Sequence, residues 1–198
     1  MDVDVEKCSQ LLCSPAKLYS PSEVLDSIPE RKTNGIYTWW FRKLPDFVPD
    51  TATVVGGFNL MYLGIGPVRA KSNQHLYGRL KNHLSPDSTK STVRRTLGSL
   101  LSKPLGLSFV VSRISAGNKP HFGLGDGEMR LSDWMAQNAR ISLLEYSSPW
   151  EIETLLIHRL DLPLNIEQNS HHPFYPTLKR LREEQFRLAR QRQAAALL

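Results

Sequence analysis

The stretch Asn34–Lys43, NGIYTWWFRK, limits the possible folds more than any other part of this chain. Asn34-Gly35 is a turn pair, and Ile36, Tyr37, Thr38, Trp39, Trp40 and Phe41 after it are all β-formers. A buried aromatic strand accounts for Trp39, Trp40 and Phe41. Tyr37, three places after the turn, is either one more core aromatic or a chemical group, and the rest of the chain decides which.

At 198 residues the chain has room for one domain of good size, or one domain with a tail. Its 40% hydrophobic and 22% charged residues are those of an ordinary globular protein. No apolar run approaches the roughly 18 residues that span a bilayer, and the acidic start MDVDVEKC is not a signal peptide. Cys8 and Cys13 are too few for a disulfide framework and lack partners at zinc-site spacing. A reducing cytoplasm is the expected setting, and these thiols are given no role.

Charge is unevenly spread. Residues 51–125 carry ten Lys/Arg and a single acid, Asp87, while residues 126–165 carry three basic residues against seven acids. A basic face serves solubility or neutralises phosphate, and a stretch of this length with one acid favours phosphate.

Ser20-Pro21-Ser22-Glu23 reads as a capping box opening a short helix to Ile28, within an N-terminal helical extension over 1–34. Strands are expected at Thr53–Val55 and Phe58–Leu63, either side of Gly56-Gly57. A helix over 73–84 carries Leu76, Leu80 and Leu84 on its apolar stripe, with Arg79 and His83 together on one flank. Further elements are a helix near Val93–Leu101, a strand over 107–114, a Gly-rich loop over 115–127, a helix over 132–138 and a strand over 141–146. Ser148-Pro149-Trp150-Glu151 reads as a second capping box, leading a helix to Leu160 and assigning Glu151 to the cap. A basic amphipathic helix is expected over 177–196, either a solvated face or a nucleic-acid contact. The predicted fold is α/β (α+β): a small antiparallel three-stranded core sheet flanked by helices, with an insert at about 85–139 and a C-terminal segment over 166–198.

Gly35-Ile36-Tyr37, Tyr62-Leu63-Gly64, Arg79, Glu153 and Asn165 occur in that order. The set resembles the GIY-YIG nuclease superfamily over residues 35–165. The resemblance implies two tyrosines on paired strands, an arginine on the next helix, a glutamate near the start of a later helix and an asparagine just past it. The type II restriction endonuclease branch is the most similar. It places a histidine four residues after the arginine, as His83 follows Arg79, and spaces its tyrosines widely, as the 25 residues from Tyr37 to Tyr62 do here. Leu63 replaces the central isoleucine of the second tripeptide, a conservative change.

The residue types suit phosphodiester hydrolysis. Glu153 is a hard oxygen ligand for one Mg²⁺ or Mn²⁺ that keeps most of its waters. Arg79 can fork onto a phosphate, and His83 is expected to titrate near neutrality and shuttle a proton. Tyr37 is a weak base at its free pKa of about 10 and needs a cation nearby, from Arg79, Lys71 or the metal's water shell. The resemblance implies that Tyr37 activates water, that Tyr62 hydrogen-bonds phosphate or water, and that Asn165 fixes the loop geometry. Lys71, Lys81, Arg94 and Arg95 are the candidate DNA contacts, and His171-His172 reads as plain loop. Double-stranded DNA is the expected partner. Clean double-strand cleavage calls for a homodimer or two binding events, and a restriction role implies a cognate DNA methyltransferase. The alternatives are a structure-specific repair or recombination nuclease and a non-catalytic DNA-binding module that keeps the fold. No acidic residue is followed two places on by lysine around Glu151-Ile152-Glu153, so the PD-(D/E)xK pattern fails there.

Overall fold

In the computed structural model, which describes residues 2–117 and 119–196, the aromatic strand is β1 (Gly35–Phe41), buried at every position. It is central. β2 (Val54–Val55), β3 (Phe58–Gly66) and β6 (Ala139–Glu145) complete a sheet of order β2-β3-β1-β6, antiparallel throughout. The three expected core strands are β3, β1 and β6, with two-residue β2 on the outer edge.

Alternation along β1 divides the core between two faces. Tyr37, Trp39 and Phe41 pack with α2 (Leu76–Leu84), α3 (Thr92–Leu100), α4 (Gly127–Asn138) and α6 (Tyr175–Ala195). Ile36 and Trp40 pack on the other side with α1 (Asp2–Cys13) and α5 (Glu153–Arg159). The Trp40 indole N–H donates to Thr38 Oγ1 at 2.7 Å, and that hydroxyl lies 2.5 Å from Ser142 Oγ on β6, so these three buried polar groups are paired. Gly66 stands opposite Gly35. A Cβ at Gly66 would lie 2.6 Å from the Leu76 backbone nitrogen, so its absence lets the first turn of α2 sit directly on the strand pair.

Several local expectations are corrected. Residues 20–28 form a run of turns, although Glu23 Oε2 does accept from the Ser20 N–H at 3.0 Å. The helix of this region lies earlier, at α1, where Val5, Cys8 and Leu12 bury one stripe. Ser148 makes no capping bond. Pro149–Glu151 form one 3-10 turn, and Glu153 is the first residue of α5. The Gly-rich loop contains a strand, β5 (Lys119–Gly123), paired with β4 (Val110–Ser115) and anchored by Phe122 stacked on Phe186 of α6 at 4.3 Å. Arg94 is fully buried. Its Nε and Nη2 donate to Glu128 Oε2 at 3.0 and 2.7 Å, and Nη2 also reaches the Glu128 carbonyl. The same carboxylate accepts from the Ser88 and Leu124 backbone N–H groups. Arg94 therefore ties α3 to α4 and is withdrawn as a DNA contact. Among the described residues no helix is long and apolar enough to cross a membrane.

Candidate active site

The two tyrosines meet through strand register. Trp39 pairs with Tyr62 and Tyr37 with Gly64, so both phenols project from one face. The register slips between Trp39 and Trp40, leaving Met61 as a bulge, and bulges re-aim neighbouring side chains. The Tyr37 ring lies across Gly64: a Cβ there would stand 2.4 Å from the phenol oxygen. The glycine of Tyr-Leu-Gly is the space that the tyrosine of Gly-Ile-Tyr occupies.

Asn165 closes the free edge of β3. Its Oδ1 accepts from the Leu63 N–H and its Nδ2 donates to the Leu63 carbonyl, both at 2.9 Å, as a neighbouring strand would. Leu164 N–H donates to the bulged Met61 carbonyl at 3.0 Å. The loop after α5 is thereby fixed beside Tyr62, with both ends of the Asn165 amide engaged. Asn169 reinforces it by donating to the Leu162 and Asn165 carbonyls.

This loop, β3, α2, α3 and α5 enclose a cleft of about 380 Å³. Tyr62, Arg79, Glu153 and Asn165 are on its walls, together with Thr92, Glu167 and Gln168. Tyr37 and His83 are not. They lie behind the wall, Tyr37 with no exposed surface and His83 nearly so. The cleft holds the polar ends, and the buried pair supports them.

Arg79 Nε is buried without a hydrogen-bond partner, and no carboxylate forms an ion pair with this guanidinium among the described residues. A buried donor without an acceptor is costly, and this one belongs to a side chain that lines the cleft. Opposite it, burial pushes the Glu153 carboxyl up against the opposing effects of a Gln168 hydrogen bond and the Arg79 charge. Gln168 Nε2 donates to Glu153 Oε2 at 3.2 Å, its Oε1 accepts from Thr154, and its backbone is left-handed at φ 61°. Non-glycine residues rarely hold that conformation except where surrounding bonds impose it.

His83 Nε2 is 2.7 Å from the Tyr37 hydroxyl, and Nδ1 is 2.7 Å from Ser91 Oγ, which also caps α3 by accepting from the Arg94 N–H. Burial foremost, then the charges of Arg79, Arg95 and Arg94, lower the His83 pKa to about 3. The expected titration near neutrality is corrected: the ring is neutral at working pH and accepts or donates one proton along the Tyr37–His83–Ser91 line. Burial raises Tyr37 and Tyr62, Tyr62 the further, and the Arg79 charge opposes both shifts. Arg79 supplies a cation at Tyr37.

The GIY-YIG catalytic domain matches residues 35–184, about three quarters of the chain. The chain belongs to the GIY-YIG nuclease family. No curated protein and no solved structure matches it. This GIY-YIG domain is that of an endonuclease with DNA as its substrate, and its matched region runs into α6. Lys71 and Lys81 are exposed near the cleft-lining helix α2, and Arg95 is half-buried on α3. Ser91, Glu167 and Gln168 escaped the sequence reading. The latter two directly follow the Asn165 segment, which was read only as far as its asparagine.

Proposed function

We propose that this GIY-YIG protein is a metal-dependent endodeoxyribonuclease of the type II restriction class, hydrolysing phosphodiesters in double-stranded DNA. The observation that carries the chemistry is Arg79, its Nε buried and unpartnered on the wall of a cleft that also bears Glu153. A scissile phosphate supplies the missing acceptor, and the guanidinium stabilises charge that grows in the transition state. The restriction assignment is supported by His83 four residues after Arg79 and by the wide Tyr37–Tyr62 interval.

Among the described residues no group of three His, Cys, Asp or Glu side chains could cage an ion. Glu153, with Glu167 on the same walls of a roomy polar cleft, fits a hard divalent ion that retains most of its waters, as Mg²⁺ or Mn²⁺ does. Such an ion, when bound, supplies positive charge against the developing oxyanion. Tyr62 offers its hydroxyl to the attacking water in the cleft. Tyr37, ionised with help from the Arg79 charge, takes the water's proton through its contact with Tyr62, its oxygen held by His83 Nε2–H. In that tautomer the neutral ring's Nδ1 accepts from the Ser91 hydroxyl.

One cleft cuts one strand, so double-strand cleavage calls for two chains or two encounters, and a cognate methyltransferase would protect the host's own sites. The two cysteines are free, in keeping with the cytoplasm. Incubation with unmethylated phage DNA and Mg²⁺, followed by sequencing of the ends, tests the assignment. Discrete fragments with a common end sequence support it; cutting confined to branched DNA, or no cutting, contradicts it.

A further inference from the structure

Arginines in this fold are paired both in the core and on the surface. Arg94 is saturated by Glu128, and on the surface Arg187 is paired with Glu184. The next residue after Arg94 differs. Arg95 is half-buried and has no ion pair among the described residues; its Nη1 donates to the Ser88 and Thr89 carbonyls at 2.9 Å and its Nη2 to Thr92 Oγ1 at 3.3 Å. Thr92 is a wall of the Arg79–Glu153 cleft. Arg182 comes from α6, which packs across α3, and its Nη1 donates to Thr96 Oγ1 at 3.3 Å, one residue from Arg95. Among the described residues that is its single hydrogen bond, and it too has no ion pair there. Two guanidiniums thus share one half-buried place beside the cleft, with Glu167 the acid whose charge reaches both.

Like charges brought together out of water destabilise a fold unless an anion joins them. The repulsion is felt here: burial first, then the Arg95 charge, lower the Arg182 pKa to about 10. Among the described residues four of the five N–H donors of Arg182 are uncommitted, and none is in an ion pair with a carboxylate.

We propose that Arg95 and Arg182 together bind a non-scissile phosphate of the DNA strand being cut, next to the one held by Arg79. The C-terminal helix then belongs to the substrate site. This rests on the nuclease reading. It predicts an inverse relation between binding and stability, because removing one member of an unneutralised pair relieves repulsion in the free protein.

The test compares Arg182→Met, which keeps the apolar stem, and Arg182→Lys, which keeps the charge, with wild type. Affinity for a duplex is measured across a salt series without divalent metal, alongside melting temperature; wild-type cleavage of the same duplex with Mg²⁺ is scored separately. Arg182→Met should weaken binding several-fold, flatten the log K against log salt slope by about 0.9, and leave the melting temperature unchanged or higher. Arg182→Lys should keep the slope. An unchanged slope in Arg182→Met, with or without a fall in melting temperature, overturns the phosphate site, even where wild type cuts. A wild type that binds but does not cut overturns the nuclease reading while the slope still decides the site. One that neither binds nor cuts overturns both.

Discussion

Tyr37 and Gly64 are one structural unit: the phenol ring fills the volume that any side chain at 64 would claim, with a Cβ there 2.4 Å from the phenol oxygen. The pairing is set by cross-strand register and reads directly onto the two tripeptides.

Gly64→Ala should therefore displace Tyr37 and break its contact with His83. Overpacking of this kind costs about 1–3 kcal/mol. Cleavage should fall at least tenfold, with DNA affinity little changed. A double-mutant cycle with Tyr37→Ala checks the mechanism: the second substitution makes room, so the combined loss of stability should be smaller than the sum. Additive losses would mean that the two positions do not touch.

The buried His83 gives a pH signature. Its pKa is lowered from 6.5 to about 3 in the folded state, so the unfolded chain binds the extra proton between those values. Stability contributed by the neutral ring is complete above about pH 6.5 and is lost as pH falls toward 3. Replacement by glutamine should flatten that part of the acid-unfolding curve and lower the cleavage rate roughly 10- to 10²-fold, the worth of a hydrogen bond to a charged oxygen, since Tyr37 loses the ring that holds it. Equilibrium unfolding from pH 7 to pH 3.5 checks the first point. An undiminished slope would place the charge elsewhere.

Arg94 separates structural from substrate-facing basic residues. Arg94→Ala leaves Glu128 buried without its cation, which should destabilise by roughly 3–5 kcal/mol. The salt dependence of DNA binding should be unchanged in whatever fraction stays folded. Lys71→Ala with Lys81→Ala should do the reverse, flattening the salt slope while denaturant midpoints hold.

Much of this site was legible because its members are spaced by local rules. A turn pair before β-formers fixes β1, and i, i+4 spacing puts Arg79 and His83 on one side of α2. The ordered set from Tyr37 to Asn165 follows the strand and helix order. Other features depend on contacts far apart in sequence. Nothing near Arg94 announces Glu128, thirty-four residues away, so a buried cation read as one more surface charge. His83 looked titratable because its residue type is; three aromatic rings and three arginines set its state. The hairpin partner β5 was hidden by the glycines around it, since Phe122 finds its stacking partner on α6.

Glu153 is the residue on which the metal-dependent reading turns. Burial holds its carboxyl above the ordinary range, so its charge opposes folding as pH rises through that shifted value. At neutral pH Glu153→Gln should leave the melting temperature equal or slightly higher. Its amide retains an oxygen that can accept from Gln168.

The most direct measurement is a cleavage time course on double-stranded DNA with Mg²⁺, comparing wild type, Glu153→Gln and Glu151→Gln. Wild type and the exposed Glu151→Gln control should cut at similar rates. Glu153→Gln should bind the same DNA without metal as well as or better than wild type, yet cut at least 10²- to 10³-fold more slowly, the scale of losing a key electrostatic contact. Normal cutting by Glu153→Gln would contradict the account.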